Sequence, residues 1–453
     1  MMFEGKKVLV TGIARSGLAA ARVLVKRGAK VTICDRKNME QLAEELLNDL
    51  NNLGIEIYAG EYPAVSKQKF DLVIASPGIP ADVEPFVQAR VAGIPVIGEL
   101  ELAYAIKGPE VEIIAVTGTN GKTTTVSLLH CIMEAAGINS SVGGNIGVPL
   151  SAVVDQMNAG VIAVEVSSFQ LESIRDFRPH ICGILNITPD HLDRHKTLES
   201  YQEVKGRIFA NQQADDFAIL NFEDPLVRGF AEYCPAQVVF FSVEQPLEQG
   251  ISVYQGMICA SGPAGIQEIC PVSSLQLRGK HNLENVLCAV GMAWSAGIHS
   301  TVIASALASF SGVRHRMEEA GVKNGIMFVN DSKATNPDSA IKALQSFEQD
   351  LILIAGGRNK GSNFLVLANY VKEYAKAVVL LGEARDEINQ ALKEVGFSGP
   401  VLVVNDLGEA VKEAAQIAKN GDVVLLSPAC ASWDQFDNYE QRGDLFCELV
   451  KSL

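Results

Sequence analysis

The stretch that most constrains this chain is Ile113-Ile114-Ala115-Val116-Thr117-Gly118-Thr119-Asn120-Gly121-Lys122-Thr123-Thr124. An apolar run stops at a glycine, two glycines enclose a short loop, and Lys-Thr-Thr opens a segment of helical composition. A strand that passes through a glycine loop into a helix points backbone N–H groups into a concavity at the positive end of the helix dipole. From there Lys122 reaches β- and γ-phosphates and the Thr123 hydroxyl is a ligand for Mg²⁺, with Gly118, Thr119, Asn120, Gly121 and Thr124 completing the loop. The spacing G-x-x-G-K-T is two residues shorter than the usual G-x-x-x-x-G-K-[ST]. Such a loop takes a metal-holding acid from a neighbouring strand. Val161-Ile162-Ala163-Val164-Glu165 supplies one, four apolar residues and then a carboxylate. ATP with Mg²⁺ follows from these residues; the use made of the ATP does not.

The surrounding sequence repeats the strand–turn–helix theme. Lys7 to Val10, Lys30 to Cys34, Leu72 to Ala75 and Pro95 to Ile97 read as strands, with a helix over Leu18 to Arg27. Strands at Ile113 to Val116, Val161 to Val164, Ile181 to Leu185 and Phe217 to Leu220 surround the phosphate loop, with helices around 282–296 and 300–309. Val238 to Phe241 and Ile251 to Val253, separated by Gly and Pro, read as an antiparallel edge on that mixed sheet. Met327 to Asn330, Leu351 to Ala355, Ala377 to Leu381, Val401 to Val404 and Val423 to Leu426 read as a further parallel sheet. Strands alternating with helices specify α/β units, and 453 residues at roughly 150 per domain make about three. The expected divisions are 1–105, 106–312 and 313–453.

Lys+Arg 38 against Asp+Glu 53 leaves a net charge of −15, which argues against a general nucleic-acid binder. No apolar run approaches the length of a membrane-spanning helix. The opening MMFEGKKVLVTG enters a strand without the apolar segment of a signal peptide. Nine scattered Cys with no C-x-x-C pair support neither a disulfide framework nor a zinc knuckle. A cytoplasmic, monomeric protein is expected.

A second glycine turn, Gly12-Ile13-Ala14-Arg15-Ser16-Gly17 with Asp35 ending the next strand, approximates the dinucleotide fingerprint but carries Ala14 in place of its middle glycine. Three readings stand: an NAD site, a turn that binds nothing, or a site for a nucleotide diphosphate such as a UDP-sugar, with Asp35 and Arg36 near the base.

Taken together, the motifs resemble the Mur ligases, the ATP-dependent amide-forming enzymes of peptidoglycan precursor assembly. The matching stretches are Thr117 to Thr123, Gly143-Gly144-Asn145-Ile146-Gly147, Glu165 to Leu171, Asn186 to Arg194, His281 to Asn285, His315-Arg316, Asp331-Ser332-Lys333-Ala334-Thr335-Asn336 and Ser427-Pro428-Ala429-Cys430-Ala431-Ser432. They run in family order along the whole chain, and the last two are similar to the D-glutamate-adding branch. The resemblance implies an N-terminal Rossmann-like sheet, a central mononucleotide-binding mixed sheet and a C-terminal Rossmann-like sheet. It implies UDP-N-acetylmuramoyl-L-alanine and D-glutamate as substrates. The UDP-substrate carboxylate would attack the γ-phosphate, and the acyl phosphate would pass through a tetrahedral intermediate to the amide. Two anions then meet, so cations must line the meeting point.

Carried over by resemblance, Lys122 and Thr123 hold phosphate and a first Mg²⁺ shared with Glu165, and His191 is a ligand of a second. The residue alone reads as a capping or hydrogen-bonding histidine, since Mg²⁺ prefers oxygen. His195 and Asp193 read as solvated loop residues. Lys205 resembles the family lysine carbamylated by CO₂; without that match it is a surface helix lysine. Asn282 and Asn285, three apart on one helical face, read the adenine edge in the family and cap the helix otherwise. Arg316 reaches ATP when the second and third units close, and Asp331 accepts from the ribose. Lys333, Thr335, Lys360, Ser432 and Tyr439 are expected at D-glutamate. Arg15, Ser16, Asp35, Arg36, Ser76, Gly78, Asn145 and Ser167 are expected at the UDP-substrate.

Competing readings explain less. An NAD(P)-dependent oxidoreductase leaves Lys122, Thr123 and Glu165 without a role. A switch or motor ATPase has no need of a glutamate site. Another ligase of the superfamily, such as folylpolyglutamate synthase, lacks a UDP-binding unit at the amino terminus.

Overall fold

The computed structural model describes residues 3–80, 82–263, 265–277, 279–347 and 350–453; the Asp193 side chain lies outside the described residues. Its strands are β1 (Lys7–Thr11), β2 (Lys30–Asp35), β3 (Glu56–Ala59), β4 (Leu72–Ala75) and β5 (Val96–Gly98) in a first sheet. The order is β3-β2-β1-β4-β5, all parallel. Alternate residues feed cores on both faces: Val8, Val10, Ile33 and Ile74 on one side, Leu9, Cys34 and Val73 on the other. Strand order reverses at β1, so the β1 and β4 carboxyl ends open a crevice, the usual ligand position in such sheets. The helix after β1 starts at Arg15, three residues before its first long apolar side chain, Leu18.

The central sheet contains β6 (Glu110–Thr117), β7 (Ser140–Gly144), β8 (Ala159–Glu165), β9 (Ile181–Ile184), β10 (Phe217–Asn221), β11 (Gln237–Ser242), β12 (Gly250–Tyr254), β13 (Met257–Gly262) and β14 (Gly265–Pro271). Its order is β14-β13-β12-β11-β10-β9-β6-β8-β7. The antiparallel reading of 238–253 needs correction. The strand β11 is parallel to both β10 and β12, and antiparallel pairing begins only with β13 and β14. The reversal comes from the tight turn at Gln255-Gly256, both at positive φ. Helices Lys122–Ala135, Lys280–Ser295 and Ser300–Ser309 cover the face carrying Ile114 and Val116. Ile113 and Ala115 face the opposite core with Phe177, Tyr201 and Phe230.

The C-terminal sheet holds β15 (Glu318–Lys323), β16 (Ile326–Asn330), β17 (Leu351–Gly356), β18 (Ala375–Leu381), β19 (Val401–Val403) and β20 (Val423–Leu426), ordered β15-β16-β20-β17-β18-β19. It is not wholly parallel: β15 forms an antiparallel hairpin with β16. Asn324 (φ 52°) and Gly325 (φ 74°) make the turn, and Asn-Gly is the dipeptide that a two-residue hairpin with two positive φ values favours. The sequence Glu-Glu-Ala-Gly-Val-Lys lacks apolar alternation, which hid the strand.

The helix Glu99–Ile106 joins the first two units: Leu102 enters the first core, Leu100 and Ala103 the central one. Two buried carboxylates rivet it to the central unit. Glu99 accepts from the Ser151 N–H at 2.6 Å, and Glu101 accepts from the N–H groups of Arg175, Asp176 and Phe177 at 2.7, 2.9 and 3.0 Å. Among the described residues no helix is long and apolar enough to cross a membrane, and the nine cysteines are free.

Glu101→Ala leaves three backbone donors without their acceptor, so a loss of about 3 kcal/mol of stability is expected, with part recovered in Glu101→Gln. Denaturant unfolding of both variants measures it; a change below about 1 kcal/mol in Glu101→Ala would mean the contact is dispensable.

Candidate active site

The loop after β6 turns back on itself through Gly121. That residue sits at φ 88°, and a Cβ there would lie 2.0 Å from Asn285 Oδ1, so only glycine fits. The following helix begins at Lys122, and its first N–H groups have no partner inside the helix. The Lys122 ammonium folds onto the loop, donating to the carbonyls of Gly118 and Thr119 at 2.8 Å each. Burial lowers its pKa, with Glu165 and Asp190 opposing. Thr119 bonds across to the Thr188 backbone, and Thr124 Oγ1 is buried without a hydrogen-bond partner.

Thr123 and Glu165 are each 3% exposed and meet directly, Thr123 Oγ1 donating to Glu165 Oε2 at 2.6 Å. Asn145 holds the other carboxylate oxygen at 2.9 Å. Burial alone would raise the Glu165 pKa, but Lys333 and Lys122, with the Asn145 and Thr123 donors, hold it below the ordinary value. From the C-terminal unit, Lys333 Nζ donates to Thr123 Oγ1 at 2.5 Å, so a cation already stands at this oxygen pair. Burial brings the Lys333 ammonium down to about 8, against the pull of Glu165. Two hard oxygen donors meeting at one buried point, the Thr123 hydroxyl and the Glu165 carboxylate, fit a divalent cation.

Lys205 is not a surface lysine. It is 1% exposed, on the helix Leu198–Gly206, with Nζ donating to the Gly118 carbonyl at 2.9 Å and lying 4.5 Å from the Tyr201 ring centroid. Burial first, then the Lys122 charge, pushes its pKa well below the usual lysine value. The helix period puts one residue per turn inward, and nothing in Gln202-Glu203-Val204-Lys205 itself marks which. His195 likewise departs from the solvated reading: it is 5% exposed, pairs with Ser168 Oγ at 3.0 Å and stacks on Phe169. The accompanying Asp193 side chain lies outside the described residues. His191 occupies a left-handed backbone position (φ 52°), its ring 4.8 Å from Phe169 and its Nε2 3.7 Å from Asp190. A non-glycine residue held there marks a position the fold over-determines.

A narrow cleft between the central and C-terminal units is lined by Asn120, Gly121, Asn186, His281, Asn285, Arg316, Asp331, Ser339 and Lys342. Asn282 lines the adjoining cavity of about 230 Å³, which shares Arg316. Asn282 and Asn285 bond to each other at 3.3 Å. Asp331 lies 3.9 Å from Arg316 and accepts from Ser427 Oγ at 2.9 Å. Burial raises its carboxyl to about 6 against those opposing partners. Burial also lowers His281 to about 3, with Arg316 and Lys342 adding to the effect, so the ring is neutral.

Of the residues expected at D-glutamate, Lys333 and Tyr439 come together at 5.1 Å. Lys360 instead faces Asp190 at 3.9 Å across the units. Among the described residues, Thr335 and Ser432 form no side-chain hydrogen bond with these three. Arg15, Ser16, Asp35, Arg36, Ser76, Gly78, Asn145 and Ser167 all line one cavity of about 530 Å³ between the first and central units. Asp35 is spent locally, accepting from the N–H groups of Ile13 and Lys37, while Arg36 lies over the Tyr62 ring at 5.9 Å.

Several residues in these walls had no sequence signal of their own. Asp190 meets His191, Lys360 and, at 3.3 Å, Asn336. Asn186 enters the narrow cleft from the loop after β9, and Ser339 and Lys342 enter it from the helix Pro337–Leu344. Asn186 and Asp190 fall within the Asn186 to Arg194 stretch, whereas Ser339 and Lys342 lie outside every matching stretch.

The chain matches the Mur ligase MurD-like N-terminal domain over residues 6–98, the Mur ligase middle domain over 116–293 and the Mur ligase glutamate ligase domain over 315–430. It is 50% identical over 453 residues to a UDP-N-acetylmuramoylalanine–D-glutamate ligase of Pelotomaculum thermopropionicum, covering 100% of this chain and 98% of the relative. It is 41% identical to the enzyme of that name from Clostridioides difficile, covering both chains fully. Its fold is shared with UDP-N-acetylmuramate-alanine ligase MurC from Thermotoga maritima, at TM-score 0.63, 22% identity and 99% coverage of each chain. It is shared too with MurF ligase from Thermotoga maritima in complex with ADP, at TM-score 0.62 and 17% identity, covering 100% of this chain and 96% of that one. The chain therefore belongs to the Mur ligase family, and within it is similar to the UDP-N-acetylmuramoylalanine–D-glutamate ligases.

Proposed function

We propose that this chain is the ATP-dependent ligase that joins D-glutamate to UDP-N-acetylmuramoyl-L-alanine, releasing ADP and phosphate, as a cytoplasmic monomer with units at 1–105, 106–312 and 313–453. One observation carries the ligase reading: a lysine of the C-terminal unit, Lys333, meets the phosphate loop of the central unit at Thr123 and Glu165. A phosphoryl site and a cationic acceptor site thus converge on one point. The choice of D-glutamate rests on the named relatives.

In this reading the UDP-substrate fills the 530 Å³ cavity, its carboxylate directed past Asn145 and Ser167 toward the γ-phosphate. Lys122 and the loop N–H groups hold the triphosphate, Asn282 and Asn285 the adenine, Asp331 the ribose and Arg316 the phosphates. Magnesium, when bound, neutralises phosphate charge, with Thr123 and Glu165 as holders of one ion and His191 with carbamylated Lys205 as holders of a second. Lys333, Lys360, Thr335, Ser432 and Tyr439 receive D-glutamate, whose amine attacks the acyl phosphate. The attack forms a C–N bond, expels inorganic phosphate through a tetrahedral intermediate and releases a proton. The carbamate reading is supported by chemistry: the amine must be neutral to add CO₂, and burial beside Lys122 favours that form at Lys205.

Phosphate release from ATP is expected to require both UDP-N-acetylmuramoyl-L-alanine and D-glutamate, with L-glutamate inert. Release indifferent to glutamate would assign the phosphate loop to another acceptor.

Lys205→Ala is expected to lose at least about 100-fold in kcat. Bicarbonate should not restore it, whereas a small carboxylate should in part; full activity in the variant would remove the carbamate.

The Asp331 carboxyl titrates near 6. Above that pH it is ionised and accepts from a ribose hydroxyl; below it the proton removes acceptor strength, so KM for ATP should rise as pH falls through 6. The inflection should vanish in Asp331→Asn, and a profile shared by both proteins would assign it elsewhere.

A further inference from the structure

Asn120 is gripped from both sides. Its backbone N–H donates to Asn186 Oδ1 at 2.9 Å and its carbonyl accepts from Asn186 Nδ2 at 3.3 Å, both within the central unit. Its side chain turns toward the C-terminal unit. Nδ2 donates to Asp338 Oδ2 at 2.5 Å, and Oδ1 accepts from Ser339 Oγ at 2.6 Å. Asp338 and Ser339 stand in the first turn of the helix Pro337–Leu344, capped by Asn336, which accepts from the Ser339 N–H at 2.8 Å. The same Asp338 oxygen accepts from Thr188 Oγ1 at 3.2 Å and faces Lys342 at 3.2 Å.

A primary amide has a donor end and an acceptor end. Asp338 and Ser339, adjacent on one helical turn, offer an acceptor and a donor side by side and satisfy both ends at once. Asn120 and Ser339 are buried, so water is a poor substitute partner. Withdrawal of the C-terminal unit would remove both partners together. The amide is also well placed to act on the loop, because the two carbonyls that hold the Lys122 ammonium, those of Gly118 and Thr119, immediately precede it.

We propose that Asp338 and Ser339 are positioning residues for the phosphate loop: they clamp the Asn120 amide when the C-terminal unit docks, and thereby set the loop for ATP. Neither needs to touch the reacting atoms; they act through Asn120. The inference rests on the ligase reading for its kinetic arm alone.

The test is a cycle of variants read two ways, as ligase kinetics and as affinity for a non-hydrolysable ATP analogue by calorimetry. Asp338→Ala is expected to weaken analogue binding and lower kcat about tenfold, leaving KM for the UDP-substrate unchanged because that cavity lies in the other two units. Asp338→Asn retains an acceptor oxygen and should stay within about threefold of wild type. Asn120→Asp sets carboxylate against carboxylate, and adding Asp338→Asn should relieve its loss about tenfold by restoring a donor. Wild-type analogue affinity in Asp338→Ala, or additive losses in the Asn120→Asp cycle, would overturn the clamp. Should Asp338→Ala fail to fold, Ser339→Ala and the isosteric cycle decide the question. A wild type that binds the analogue yet forms no product would instead sink the ligase reading, with the calorimetric cycle still deciding the clamp.

Discussion

The hydrogen-bond chain from Lys333 through the Thr123 hydroxyl to Glu165 is the interaction on which the rest of the site depends. It joins the phosphate loop, the acid of the neighbouring strand and the C-terminal unit in a few ångströms of buried space. Lys122, Lys205 and Lys333 crowd this region, each with its pKa lowered by burial. Charges taken out of water are costly unless paired, and Glu165 and Asp190 offset part of that cost. A polyanion between them would offset more. The same crowding leaves Lys205 a weakly basic amine, a chemical property that an exposed lysine does not have.

The scaffold explains how such distant segments converge. In each sheet the useful residues sit at or just beyond strand carboxyl ends: Ser76 after β4, the glycine loop after β6, Glu165 closing β8 and Asp331 after β16. Parallel strands all point their carboxyl ends one way, so successive turns gather on one edge. Glu99 and Glu101 fasten the first unit to the second through backbone amides, which holds the two walls of the 530 Å³ cavity in register. The second and third units meet through side chains at Thr123, Asn120 and Asp190 instead. That is a polar contact, and polar contacts between units are more readily exchanged for ligand than an apolar core is.

Legibility in the sequence followed the range of the signal. The apolar runs of β1, β6, β8, β17 and β20 are buried on both faces and stood out as continuous hydrophobic stretches. The strands β3, β7 and β15 lie at sheet edges with half-exposed, mixed sequences, and periodicity alone did not find them. Parallel against antiparallel pairing at β11 is a property of the partner strand, so no pattern within Val238 to Phe241 could reveal it.

The sequence by itself determined the phosphate loop, the acid at Glu165, the three α/β units and the family to which the chain belongs. These rest on contiguous residues whose chemistry and backbone demands are local, such as the glycine required at position 121. Only the tertiary structure decided that Lys205 is buried against Gly118, that His195 is enclosed, that Asp190 faces Lys360 and that Asp338 reaches Asn120 from 218 residues away. Burial and long-range pairing arise when separate segments exclude water together, and a side chain's environment is then fixed by residues that its own neighbourhood in the chain does not contain.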